Sequence, residues 1–140
     1  MHNTRYLCLI FSLIFIGITA GCSLSSAGET LSGTSWELIS YGGEKPLSGT
    51  TITAKFEKGE IRGSAGCNQY FGSYTVRGES LTIEELAWTE MACLDPQGVM
   101  QQEQEVMTLL SSAESYKGNN SHLEIITAQG KTLLFRSQES

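Results

Sequence analysis

The chain is poor in positive charge. Of its 140 residues, nine are Lys or Arg against fifteen Asp or Glu, and two are His. Nucleic-acid binding needs a basic patch that displaces counterions from phosphates, and this balance argues against it. The same deficit argues against electrostatic adhesion to anionic headgroups. The acids are scattered along the chain, with Glu84-Glu85 the only adjacent pair, which describes a solvated surface. On a strand those two side chains point to opposite faces and cannot flank one bond. A long apolar run is also missing. The stretch from Leu7 to Ile18 is broken by Ser12 and Gly17 and is shorter than the about 20 residues a membrane-spanning helix needs. There is no phosphate-cradling glycine loop: Gly59, Gly63, Gly66 and Gly72 are placed as turns and bulges of a tightly curved sheet. Nor is there a Cys-x-x-Cys redox pair.

What is present begins with the amino terminus. One basic residue, Arg5, precedes the short apolar run, and the small residues Thr19-Ala20-Gly21 follow it, ending at Cys22. That order describes a secretory signal over residues 1–21. Thr19-Ala20-Gly21-Cys22 resembles the lipobox of prokaryotic lipoproteins, with Thr19 standing where leucine is usual. The resemblance implies acylation of Cys22 and a membrane partner reached through that anchor. Each buried methylene contributes about 0.8 kcal/mol, so two acyl chains hold a protein where one does not. The expected location is therefore the non-cytoplasmic side of a membrane, the outer membrane if the source is Gram-negative. Residues 22–32 are small, polar and aperiodic, as a tether is. Without residues 1–21 the chain keeps eight Lys or Arg against fifteen Asp or Glu.

From residue 33 to about 136 the dominant signal is period two, in a span of one-domain size. Residues 34–41 put Trp36, Leu38 and Ser40 on one side and Ile39 and Tyr41 on the other. Residues 52–57 alternate Ile52, Ala54 and Phe56 against Thr53, Lys55 and Glu57, and Lys58-Gly59 turns them into 60–65. Residues 72–77 and 80–86 follow around Gly78, and short strands near 116–117, 122–127 and 131–136 close the chain. Asn119-Asn120 marks one of the last turns, where Asn119-Asn120-Ser121 also matches a glycosylation sequon. Between residues 95 and 112 the period becomes helical. Asp95 is placed as N-cap and Pro96 as the first helical residue. Val99, Val106, Leu110 and Ala113 form the apolar stripe, Met100, Met107 and Leu109 flank it as core filler, and residues 101–105 supply the polar side. The fold class this predicts is α+β: a small curved antiparallel sheet or cracked β-barrel with one packed helix.

Four cysteines are distributed unequally. Cys8 lies in the leader and Cys22 at its end, so an exported chain keeps Cys67 and Cys93, which are expected to pair. Closing that loop is worth roughly 3.5 kcal/mol in the chain-entropy model. The enzyme alternative is a Cys67–His122 nucleophile and base, and His122 is the only histidine left once His2 is removed. Cys67, Cys93 and His122 form a bare three-ligand set without metal-site spacing, so no metal or cofactor is expected.

Around these cysteines the chain resembles a known family. Gly66-Cys67-Asn68, then Gly72 and Tyr74, Gly78 and Leu81, and Thr89 with Met91-Ala92-Cys93 are similar to the signature of the META domain. Trp36-Glu37-Leu38 looks like its first strand and Leu133-Leu134-Phe135 like its last. The resemblance implies a cracked antiparallel barrel with a helix, and a place in the cell envelope or its stress response. It brings no catalytic residues with it. The expectation is a non-catalytic binding or structural domain at the membrane, with an envelope protein or hydrophobic ligand as partner. A carrier or pilotin-like chaperone holding such a ligand in the barrel crack is the alternative.

Overall fold

The computed structural model describes residues 31–138. The predicted leader, the predicted acylation site Cys22 and residues 22–30 of the predicted tether lie outside the described residues. Eight strands and one helix follow in order: β1 (Thr34–Tyr41), β2 (Thr53–Glu57), β3 (Glu60–Ser64), β4 (Gln69–Arg77), β5 (Ser80–Trp88), α1 (Val99–Ser111), β6 (Ala113–Gly118), β7 (His122–Thr127) and β8 (Thr132–Ser137). The strands form a closed barrel in sequence order, with β8 returning to β1. The seam between β5 and β6 is thin. Ser80 pairs Ser115, and the Tyr116 N–H donates to the Glu79 carbonyl at 2.9 Å. Helix α1 packs against β5 beside this seam and also touches β7 and β8.

Period two explains the interior. Ile52, Ala54 and Phe56 of the second strand region are buried, as are Leu81 and Ile83, Leu123 and Ile125, and Leu133 and Phe135. Each large side chain so buried contributes about 1.5–3 kcal/mol. Phe56 also meets Tyr74 edge to face, with ring centroids 5.0 Å apart. These side chains, together with Leu110 and Val106 of α1, form one buried core cluster inside a barrel whose β5–β6 seam rests on a single pair, as a curved or cracked barrel with one helix was expected to. The chain enters this core early: Leu31 is buried, and Ser32 Oγ accepts the Lys58 N–H.

Because neighbours run antiparallel, β1, β3, β5 and β7 begin at one rim, and β2, β4, β6 and β8 at the other. The first, or turn rim, is closed by short connections at Lys58-Gly59, Gly78-Glu79 and residues 119–121. There Asn119 Oδ1 accepts the Ser121 and His122 N–H groups at 2.8 and 2.9 Å, so the sequon asparagine folds its own turn. The second, or helix rim, carries the connections 42–52, 65–68, 89–112 and 128–131.

Several local expectations are corrected. Tyr41 is buried with Trp36 and Leu38, because a bulge between Leu38 and Ser40 shifts the alternation by one residue. Glu84 and Glu85 are both exposed instead of facing opposite sides: a register break opposite Phe71 and Ser73, with Glu85 at φ 55°, turns both outward. Strand β4 starts at Gln69, three residues before the predicted Gly72, and buries Tyr70. Asp95 is not the helix cap. The Asp95–Pro96 bond is cis, the Val99 N–H donates to the Pro96 carbonyl at 3.1 Å, and Gly98 at φ 90° is the cap residue. A left-handed residue cannot lie inside a right-handed helix, so α1 begins after it. Met107 is core filler as expected, whereas Met100 is exposed.

Candidate functional site

Gly66, Cys67, Asn68, Thr89, Met91 and Cys93 of the signature meet on the helix rim, with Asn68 at their centre, whereas Gly78 and Leu81 lie at the turn-rim end of β5. Asn68 follows a turn in which its carbonyl accepts the Ala65 N–H at 2.8 Å, which places it just before β4. Its side chain is 1% exposed, so every polar atom needs a partner inside the protein. Nδ2 donates to Glu103 Oε1 at 2.7 Å and to the Met91 carbonyl at 3.1 Å. Oδ1 accepts Thr89 Oγ1–H at 2.7 Å and the Met91 N–H at 2.8 Å. Its backbone N–H donates to Glu103 Oε2 at 2.7 Å. An amide side chain offers two donor hydrogens and two acceptor lone pairs, and all four are used. Asn68 thereby joins the end of β3, the chain after β5 and the helix.

The helix contributes its own polar pair. Gln102 and Glu103 are buried, three and four residues after Val99 and four and three before Val106, and so lie on the stripe that faces the protein. Gln102 Oε1 accepts the Leu47 N–H at 2.6 Å, and Nε2 donates to Thr50 Oγ1 at 3.1 Å. One face of α1 thus holds the 42–52 connection through Gln102 and the 65–68 connection through Glu103. Assigning residues 101–105 to solvent missed this. The signal was the spacing from Val99 and Val106, which puts both on the apolar stripe.

The Cys67–Cys93 disulfide forms, with Cα atoms 6.1 Å apart and 26 residues between them in sequence. It links the Gly66-Cys67-Asn68 turn to the chain entering α1. Gly66 has φ 113°, where a side chain is strained, and a Cβ there would stand 3.0 Å from Gln102 Nε2. Gly72 and Tyr74 belong to the same signature but lie further along β4. A Cβ at Gly72 would meet the Glu84 carbonyl at 2.8 Å, so the β5 bulge requires a glycine opposite it. Ala92 is exposed between Met91 and Cys93.

The nucleophile–base alternative is not assembled. Cys67 is bonded to Cys93, and His122 starts β7 at the turn rim, the opposite end of the barrel. Among the described residues no group of three His, Cys, Asp or Glu is placed to hold a metal ion. Among them also no helix is long and apolar enough to cross a membrane. The arrangement can brace three chain segments and a helix against one another.

A closed eight-stranded antiparallel barrel, capped by one helix and braced by a disulfide and a saturated asparagine, is the class of domain this geometry defines. The chain belongs to the META domain family: the model of that family, described as the META domain, matches residues 29–140. Comparison with curated proteins found no match. Among solved structures, the chain is similar to a protein from Burkholderia xenovorans determined by NMR. The two share 25% identity over 79% of this chain and 85% of that one, with a TM-score of 0.67. It also shares its fold with a DUF4847 family protein from Bacteroides vulgatus solved by crystallography. That pair is 14% identical over 80% of this chain and 97% of that one, with a TM-score of 0.58. Family and neighbours agree on a small domain of this fold.

Proposed function

We propose that this protein is an exported, lipid-anchored envelope protein whose barrel acts without catalysis, as a binding or structural module held at a membrane surface. The observation that carries the reading is the state of the signature residues. Cys67 is in a disulfide, and Asn68 has spent all four side-chain hydrogen-bonding positions inside the fold. Residues used this fully for architecture leave the outer surface to do the work. The disulfide supports a compartment outside the cytoplasm. Thr19-Ala20-Gly21-Cys22 supports acylation of Cys22. The envelope stress setting comes from the family resemblance, and survival of a deletion strain under heat or detergent tests it. The packed barrel axis gives no support to a carrier that holds its ligand inside.

Mass spectrometry of the native protein, with membrane fractionation of the full chain and of Cys22→Ser, tests the anchor. The account expects a diacylglyceryl-modified Cys22 in the membrane fraction and an unanchored variant. A free thiol at Cys22 with no added acyl mass overturns it. A chain carrying Cys67→Ala and Cys93→Ala tests the second half. It is expected to melt earlier yet restore a deletion strain at a temperature where it stays folded. A folded variant that fails to restore the strain contradicts a non-catalytic role.

A further inference from the structure

Four apolar side chains on the helix rim have no part in the packing just described. Trp88, Met91, Leu94 and Met100 are 45%, 54%, 91% and 40% exposed. Three of them fall between the end of β5 and the residue after Cys93. Met100 joins them from the first turn of α1, where its Sδ accepts the Cys93 N–H at 3.4 Å. The segment that presents them is held firmly: Thr89 and Met91 are bonded to Asn68, and Cys93 is joined to Cys67. Large apolar groups kept in water are unfavourable relative to burial. A surface already fixed in shape loses less entropy on binding. Trp and Met are enriched at the centres of protein interfaces, and thioethers adapt to varied partners.

Charge selects the occupant. Residues 78–116 contain eight acids and no Lys, Arg or His, so the bases of the mature chain all lie outside this stretch. Glu84, Glu85, Glu90 and Asp95 are exposed around the Trp88-to-Leu94 segment. On the neighbouring connections Lys45 is matched by Glu44, and Lys131 is the one other base at this rim. An acidic field repels an anionic lipid surface and a second copy of the same acidic face. Leu31, through which any amino-terminal anchor joins the barrel, packs at the opposite rim, where Gly33 N–H donates to the Phe56 carbonyl. We infer that the helix rim docks a cationic, apolar segment of another polypeptide, with Trp88, Met91, Leu94 and Met100 as the contact and the surrounding acids steering it. This rests on the reading of the domain as a binding module and names the chemistry of its partner.

The test uses the full chain in phosphatidylcholine nanodiscs with its methionine methyl groups labelled for NMR. One probe is an 18-residue amphipathic Leu/Lys peptide. The other is a Leu/Glu peptide of the same pattern. The Leu/Lys peptide is expected to shift the Met91 and Met100 methyl signals and leave that of buried Met107 in place. Trp88→Ser with Leu94→Ser is expected to weaken its binding at least about tenfold, a hot-spot-sized loss. Asn120→Lys, exposed at the turn rim, is expected to leave it unchanged. Equal binding of the Leu/Glu peptide, no binding of either, or full affinity in the Trp88/Leu94 variant overturns the proposal. Shifts produced by raising protein concentration alone, or by anionic phosphatidylglycerol vesicles, overturn it in favour of self-association or a membrane surface. Absence of acyl mass on Cys22 bears on the anchor alone and leaves this outcome readable.

Discussion

The two rims of the barrel close the same strands by different physics. At the turn rim the connections are two or three residues long, and local geometry makes the reversals. Lys58-Gly59 reverses β2 into β3 with both residues at positive φ, and Asn119 bonds N–H groups two and three positions on. At the helix rim the 42–52 and 89–112 connections are long, and polar groups of the 42–52 and 65–68 connections are satisfied from far away in sequence. Asn68 reaches Glu103 35 positions on, and Leu47 reaches Gln102 55 positions on. Local closure stabilises a hairpin. Remote closure makes the 42–52 and 65–68 connections depend on one helix.

That difference predicts a ranking of mutational effects. The largest belongs to Asn68→Asp, which sets a second carboxyl group against Glu103 and removes both Nδ2 donors. It is expected to destabilise by at least about 4 kcal/mol, read from the denaturant midpoint, through buried unsatisfied groups and like-charge contact. Cys67→Ala with Cys93→Ala comes next, at roughly 3.5 kcal/mol from loop entropy, by thermal or denaturant unfolding. A loss under about 1 kcal/mol there would mean that the polar contacts of Asn68 alone hold the rim.

Tyr70 tests the layer beneath the helix rim. It is fully buried, its hydroxyl donates to the Thr53 carbonyl at 2.7 Å, and burial raises its pKa well above the usual tyrosine value. A raised folded pKa means the protonated phenol contributes its full stability below the unfolded value of about 10 and loses it as pH rises beyond that. Unfolding is therefore expected to become easier above pH 10. Tyr70→Phe is expected to flatten that alkaline limb while costing about 1 kcal/mol at neutral pH for the lost hydrogen bond. The smallest effect belongs to the turn rim. Asn119→Ala loses two exposed local hydrogen bonds and is expected to cost at most about 1 kcal/mol. A cost equal to that of the helix-rim variants would erase the contrast between the rims.

Legibility in the sequence follows the same division. The turn rim and the alternation of β2, β3, β5, β7 and β8 were readable because a turn residue or a period of two is a local signal. The Cys67–Cys93 bond was readable because compartment and count left two thiols. Tyr41 and Glu84-Glu85 were misplaced because each follows or sits in a bulge, and one inserted residue reverses every later side chain. The start of α1 was misplaced because Asp95-Pro96 satisfies a cap pattern while Gly98 takes the left-handed conformation that ends it. The Asn68–Glu103–Gln102 contacts stayed hidden because polar residues between apolar ones read as solvent-facing. Their spacing from Val99 and Val106 was the available signal, and the meeting of the 65–68 turn with the helix supplies their partners. The resemblance marked Asn68 without saying what it does, and the geometry supplies that.

The account stands most directly on the coupling between Asn68 and Glu103. A double-mutant cycle with Asn68→Ala, Glu103→Ala and the pair, each measured by urea unfolding of the full chain, isolates it. The structure predicts a coupling of about 2 kcal/mol or more, because either single change strands the partner's buried polar atoms. Additivity within about 0.5 kcal/mol would contradict the claim that the signature asparagine is the clamp that holds the helix on the barrel.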